Sequence, residues 1–390
     1  MKRVIVANAR YWLEYLNAVS GDDLIPEADI RGAARALETV MAVPETWSLT
    51  LSLAQALHPH MEQRGYWADW DYFLQGLLTH AQRRVDSVTE ADLLAKRGII
   101  QRQRGAYRAA MTSFRRAWWL CRQAGDQTGR ARAFSNLGDL CRLQGYFRRA
   151  EILCQGALEL FEALGDTGRL AATENHLALV YFDRGRWPEA LPHLTRSQAL
   201  WQQVGDRHGL AKTLQNLGVL HHRTGELEAA LDYLKQAIRH YQAVGDKIHV
   251  ARTQLNVGNV YLDRRDFLRA EMIYSQAETV LRHEGDSLDL ARVHHNLGMV
   301  YTHLENWDEA EACFERALER WRNLEDTWNA ANTLGELAGL YLARGCWAEA
   351  RACLNEAWEL VSERDETRYG PLRQELAERQ QELQRMTSPQ

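Results

Sequence analysis

The chain has 390 residues, 46% of them hydrophobic and 25% charged, a composition that excludes a disordered polymer and fits a folded protein. A formal net charge of -5 gives the molecule as a whole no general attraction for nucleic acid or anionic lipid. Only seven prolines favour helices, and no apolar run approaches the ~20 residues of a membrane span.

At the N-terminus, Lys2 and Arg3 precede an apolar stretch too short for a secretion signal, so a cytoplasmic protein is expected. Residues 1–45 predict an N-terminal helical cap of two helices, about 3–18 and 27–42. The turn Ser20-Gly21-Asp22-Asp23 separates them, and Trp12, Leu13, Leu16, Ile30, Ala34, Leu37 and Val40 form their apolar stripes. Residues 46–85 predict a degenerate hairpin marked by Gly65, Trp67, Trp70 and Leu74.

From residue 86 a period of 40 governs the chain. Gly-Asp recurs at Gly125-Asp126, Gly165-Asp166, Gly205-Asp206, Gly245-Asp246 and Gly285-Asp286, with Val85-Asp86 before the series and Glu325-Asp326 after it. Ala110, Ala150, Ala190, Ala230, Ala270, Ala310 and Ala350 keep the same interval, as do Trp67, Tyr107, Phe147, Trp187, Leu227, Phe267, Trp307 and Trp347. Gly is suited to a left-handed residue closing one helix, and Asp to capping the next. Each unit therefore reads as two helices, about 127–142 and 147–163 in one copy, joined by a turn at Gly145. Ala131, Phe134, Leu137, Gly138 and Cys141 lie on one stripe of the first; Phe147, Ala150, Cys154, Ala157 and Phe161 lie on one stripe of the second. Gly138, Gly218, Gly258 and Gly298 lower helix propensity by about 1 kcal/mol each, which close approach of the paired helix would offset. Seven such repeats fill residues 86–365. Residues 366–390 predict a terminal helix starting at Pro371, with Leu372, Leu376, Leu383 and Met386 on one side, acting as a cap or as a dimerisation surface.

A small residue, Tyr three later, a turn, then Ala, a bulky residue and Ala, seen here as Gly258, Tyr261, Ala270, Tyr274 and Ala277, resembles the tetratricopeptide pattern. The resemblance covers about residues 86–362. The 40-residue unit is similar to the long-repeat class of kinesin light chains, Leu-Gly-Asn-repeat adaptors and the tetratricopeptide arms of bacterial STAND regulators. Arg265 and Glu305 depart from the turn Gly, and His176 and Glu336 from the Asn position discussed below. The opening 85 residues loosely resemble the region that follows the nucleotide-binding module of STAND regulators, although no G-x-x-x-x-G-K-[ST] occurs. The resemblance implies an all-α fold, a right-handed superhelical α-solenoid of helical hairpins.

At 100° per residue, positions 132, 135, 136, 139 and 142 lie opposite the buried stripe and are expected to be solvated. Across the repeats, one column reads Asn136, His176, Asn216, Asn256, Asn296 and Glu336; another reads Arg132, Ala172, Lys212, Arg252, Arg292 and Asn332. Carboxamides present a donor and an acceptor, which suits an extended peptide backbone. The resemblance assigns that use to Asn136, Asn216, Asn256 and Asn296; the alternative is that each bonds a neighbouring helix. Arg132, Lys212, Arg252 and Arg292 either pair with acidic ligand groups or are simply solvated. Leu179, Phe182, Val219, Leu262, Met299 and Leu342 put apolar groups on the same face, as ligand anchors or as surfaces that other helices cover.

His221-His222 and His294-His295 point about 100° apart on a helix, and no zinc spacing, H-E-x-x-H or G-x-S-x-G occurs. Cys121, Cys141, Cys154, Cys313, Cys346 and Cys353 form no C-x-x-C pair and read as small buried hydrophobes. Arginines at 97–104, Arg115, Arg122 and 130–142, with Tyr107, Trp118 and Trp119 among them, form a local basic face without a nucleic-acid recognition unit. The expectation is a non-enzymatic scaffold without cofactor or metal. It would bind a peptide or protein segment carrying acidic residues and apolar anchors. The alternatives are a peptide- or effector-responsive sensor related to STAND regulators, and a fragment of a larger switch protein.

Overall fold

The computed structural model describes residues 2–19, 25–63, 66–284, 287–364 and 366–387. The expected turn at Ser20-Gly21-Asp22-Asp23, Gly65 and the pair Gly285-Asp286 lie outside them. The described residues are mostly helical, with no strand among them. The order opens with α1 (Lys2–Ala18) and α2 (Glu27–Met41), a single 3-10 turn at Pro44–Thr46, α3 (Trp47–Gln63) and α4 (Trp67–Arg83). Seven hairpins follow. They are α5 (Ser87–Gln103) with α6 (Tyr107–Ala124), α7 (Gln127–Leu143) with α8 (Phe147–Leu164), and α9 (Thr167–Asp183) with α10 (Trp187–Val204). Next come α11 (Arg207–Arg223) and α12 (Leu227–Ala243), α13 (Lys247–Asp263) with α14 (Phe267–Glu284), and α15 (Ser287–His303) with α16 (Trp307–Asn323). Finally α17 (Thr327–Arg344) pairs with α18 (Trp347–Val361), and α19 (Glu366–Thr387) ends the chain.

Helix starts follow the capping chemistry. Asp86, Asp126, Asp166, Asp206 and Asp326 each accept a hydrogen bond from the backbone N–H three residues on, at 2.8–3.1 Å. Helix ends fall on left-handed residues at a strict spacing of 20. Gly105, Gly125, Gly145, Gly165, Gly185, Gly205, Gly225, Gly245 and Gly345 have φ between 68° and 83°. Val85, Arg265, Glu305 and Glu325 take the same conformation, at φ 55–59°, at the beats where glycine is missing.

Within a hairpin, the small residue of the first helix admits a large one of the second. A methyl built on Gly298 would lie 2.6 Å from the Phe314 ring, one on Gly138 2.6 Å from Cys154 Sγ, and one on Gly258 would collide with Tyr274. Phe314, Cys154 and Tyr274 are consequently almost fully buried. A second link ties successive hairpins: the hydroxyls of Tyr181, Tyr301 and Tyr341 donate to Glu151, Glu271 and Glu311, thirty residues earlier, at 2.6–3.1 Å.

The chain forms two compact units, Met1–Leu220 with Arg239–Asp246, and His221–Ile238 with Lys247–Gln390. In the first, α1, α2, α3 and α4 enclose a core built on Leu16, Ile30, Leu37, Leu53, Leu57, Trp70 and Leu74. In the second, α19 packs on α17 and α18 and buries Tyr369, Leu372, Leu376 and Leu383 in the last hairpin's core. The terminal helix therefore begins at Glu366 rather than at Pro371. Tyr369 extends the buried stripe upstream of the proline, and that burial carries the helix back past it.

Candidate functional site

In the first unit, the faces of α5, α7, α9 and α11 opposite their hairpin partners carry a chain of charge. Asp139, 2% exposed, receives Arg102 of α5 and Arg142 of its own helix, and Arg142 continues to Asp183 of α9 at 2.5 Å. Arg132 reaches Asp92 of α5 at 2.7 Å, and Lys96 shares that carboxylate at 3.1 Å. His176 Nδ1 lies 3.1 Å from Ser135 Oγ, and burial together with Lys212, Arg102 and Arg142 holds its pKa well below the ordinary value. Lys212 makes no ion pair or side-chain hydrogen bond among the described residues, and its side chain is open to solvent. Even so, surrounding protein mass, then the charges of Arg102 and Arg142, lower its pKa to about 8.

In the second unit, Arg252 and Arg292 converge on Asp289, which is 3% exposed, at 2.5 and 3.1 Å. Asn296 Nδ2 donates to Asn259 Oδ1 at 2.8 Å, and the Tyr274 hydroxyl donates to the same oxygen at 2.6 Å. Glu336, on the last repeat, accepts from Arg379 of α19 at 2.6 Å, while Arg379 also donates to the Gly335 carbonyl. The terminal helix thus occupies the inner side of α17.

Several expectations about this face are corrected. Ser135 and Asp139 are buried rather than solvated, as is Asn175, because successive first helices (α5 on α7, α7 on α9) pack directly on each other. Thr173 and Thr333, both fully buried, occupy that seam, meeting Ser135 of α7 at 3.0 Å and His295 of α15 at 2.9 Å. Leu342 is buried in the last hairpin's core. Within each unit the solvent-facing part of these helices is narrower than 100° spacing predicts, and falls on the columns of residues 132 and 136.

The candidate residues then divide. Asn136, Asn216, Asn256 and Asn296 are all half-buried. Asn216 donates to Asn175 Oδ1 at 2.9 Å and Asn296 to Asn259, so these two join neighbouring helices; Asn136 and Asn256 make no side-chain hydrogen bond among the described residues. Arg132, Arg252 and Arg292 are ion-paired, whereas Lys212 is not. Phe182, Val219, Leu262 and Met299 are half-buried, the last two packed against the hydrophobic core. Sequence reasoning missed the carboxylates Asp92, Asp139 and Asp289 that organise the cations. Asp92 could have been found, since it lies one period before Arg132.

The paired histidines are taken up internally. His221 and His222 meet Glu226 and Asp263 at 3.0 and 2.7 Å; His294 and His295 meet Glu278 and Thr333 at 2.9 Å each. Cys121, Cys141, Cys154 and Cys313 are buried, and burial raises the Cys154 thiol to about 12. Cys346 and Cys353 are only half-buried. No described helix is long and apolar enough to cross a membrane.

Helical hairpins of 40 residues stacked on their neighbours define a helical-repeat solenoid. Tetratricopeptide repeats are matched at residues 169–243, 249–323 and 289–363, so this part of the chain is built of tetratricopeptide repeats. No curated protein sequence matches it. Among solved structures it is similar to a signal-transduction ATPase with numerous domains from Pyrococcus horikoshii that has a tetratricopeptide-repeat sensor. That match has 16% identity and a TM-score of 0.64, and covers 91% of this chain and 52% of that one. The chain thus spans about half of that protein. It is also similar to the apo quorum sensor NprR from B. thuringiensis, at 13% identity and TM-score 0.60, covering 92% and 99% of the two chains. A Rap protein complexed with competence and sporulation factor gives 15%, 0.57, 88% and 99%. At these identities the likeness is one of fold.

Proposed function

We propose that this protein is a non-enzymatic interaction scaffold that binds a peptide or protein segment along the solvent-facing strip of its first helices. The observation that carries the reading is Lys212. It is an unpaired, solvent-open ammonium facing Arg102 and Arg142, in a setting that already strains against its positive charge. An incoming carboxylate would relieve that strain, so the segment carries Asp or Glu. Asn136 and Asn256, without side-chain partners, are the carboxamides free to meet its backbone. Phe182 and Val219, and Leu262 and Met299 in the second unit, offer contacts for one or two apolar anchors. Arg132, Arg252 and Arg292 reach the ligand from their existing ion pairs, and Asn216 and Asn296 from their interhelical bonds.

The test begins with affinity capture from source lysate and identification of the bound segment. Lys212→Glu and the combination Asn256→Ala/Arg252→Glu are each expected to weaken that segment at least tenfold, about 1.4 kcal/mol. Unchanged affinity in both would refute the assignment.

A second reading, a peptide-responsive sensor, is supported by the likeness to an ATPase with a tetratricopeptide-repeat sensor and to a quorum sensor. Repeats that touch only their neighbours can sum small adjustments into a large one. Small-angle scattering with and without the captured segment separates the readings: an unchanged envelope counts against the sensor.

A further inference from the structure

Among α3, α4, α5 and α7 lies a cavity of about 230 Å³. Its apolar lining comes from Leu51, Ala54, Trp70, Leu74 and Leu93, with the 53%-exposed Val88 beside them. The Trp70 indole N–H is already committed, donating to His58 Nδ1 at 2.8 Å, so the ring serves the cavity as an apolar surface. The polar lining is unbalanced. Lys96 and Arg132 both bond Asp92, which leaves two cations to one carboxylate. Arg132 adds a second deficit: its Nε is buried and has no acceptor. A buried donor without a partner is uncommon in native proteins and calls for an explanation. An apolar cavity with a few convergent polar groups is the usual form of a ligand site. This one is smaller than the roughly 300–1,000 Å³ that drug-sized ligands occupy, which limits the guest to the bulk of about one amino-acid residue.

We propose that the cavity binds a carboxylate carried on a compact apolar body. The carboxylate takes Lys96 and the Arg132 guanidinium, and the body lies against Leu51, Trp70 and Leu74. The cavity shares Arg132 with the strip proposed above and is otherwise built of other residues. The same chemistry is presented by a free organic acid and by the last residue of a partner chain.

The probes are N-acetyl-leucine, N-acetyl-leucinamide and a hexapeptide ending in leucine, titrated against the full chain by ligand-observed NMR. N-acetyl-leucine is expected to bind in the millimolar range, and the amide about tenfold more weakly for want of charge. Lys96→Met should reduce acid binding about tenfold with helicity unchanged, and Ala54→Leu, which fills the cavity, should abolish it. If Ala54→Leu fails to fold, the acid–amide pair and Lys96→Met still decide. A hexapeptide that binds more tightly than N-acetyl-leucine assigns the site to a chain terminus; equal affinity assigns it to a free acid. The proposal is overturned if acid and amide bind alike, if neither binds, or if Lys96→Met changes nothing. Retention of N-acetyl-leucine by Lys212→Glu, with loss of the captured segment, would separate the cavity from the strip.

Discussion

His58 and His295 hold stability that depends on their staying neutral. Burial, with Lys96 adding to it for His58, lowers both pKa values to about 4 from an ordinary 6.5, and protonation at Nδ1 would break the acceptor that holds Trp70. Between those pH values the unfolded chain takes up protons that the native one refuses. Stability is therefore complete above about 6.5 and declines as pH falls toward 4, by up to ~3 kcal/mol per ring. The melting temperature should drop between pH 7.5 and pH 5, and His295→Gln should flatten that slope. A slope unaltered by the substitution would remove His295 from the account. Glycine at the hairpin contact permits a second test. Gly298→Ala presses a methyl to 2.6 Å from Phe314 and should lose about 1–2 kcal/mol net of helix propensity. Gly156→Ala meets Phe134 only at 3.6 Å and should gain up to about 1 kcal/mol by denaturant titration.

At the scale of elements, the left-handed beat every 20 residues governs where helices stop. Arg265, Glu305 and Glu325 sit on that beat with side chains that disfavour it by roughly 1–2 kcal/mol. Glycine loses part of that advantage through unfolded-state entropy, so each change to Gly should stabilise by about 0.5–1 kcal/mol. The triple variant should melt several degrees higher; no rise would mean the turns carry no strain. The helices, their caps and their partner contacts were legible because periodicity, Gly and Asp act locally. Asp126 bonding the Gly129 N–H is read directly from spacing. The solvated strip was legible only in part. A helical wheel knows one helix, while the burial of Ser135, Asp139 and Thr173 is decided by the next hairpin forty residues on. The same limit left open which carboxamides would bond a neighbouring helix, as Asn216 and Asn296 do, and it hid the cavity at Lys96, whose walls come from four helices.

For the whole molecule, α19 closes the last hairpin. Tyr369, Leu372, Leu376 and Leu383 each bury an apolar group worth about 1.5–3 kcal/mol gross, and Arg379 neutralises Glu336 beneath them at 2.6 Å. Ending the chain at Arg364 should lower the melting temperature by several degrees and raise binding of an apolar dye. A truncated chain with unchanged melting and no dye uptake would mean that the last hairpin needs no cover.

The lowered pKa of Lys212 gives that residue a chemical character beyond attraction. With a pKa near 8, about one amine in ten is unprotonated at pH 7, against fewer than one in a thousand for an ordinary lysine. Only the unprotonated form is a nucleophile, so a limiting dose of an activated ester at neutral pH should acylate Lys212 ahead of the exposed Lys2, Lys235 and Lys247. Peptide mapping after such a pulse would turn Lys212 into its own reporter of occupancy, bright when the strip is empty and silent when a guest covers it.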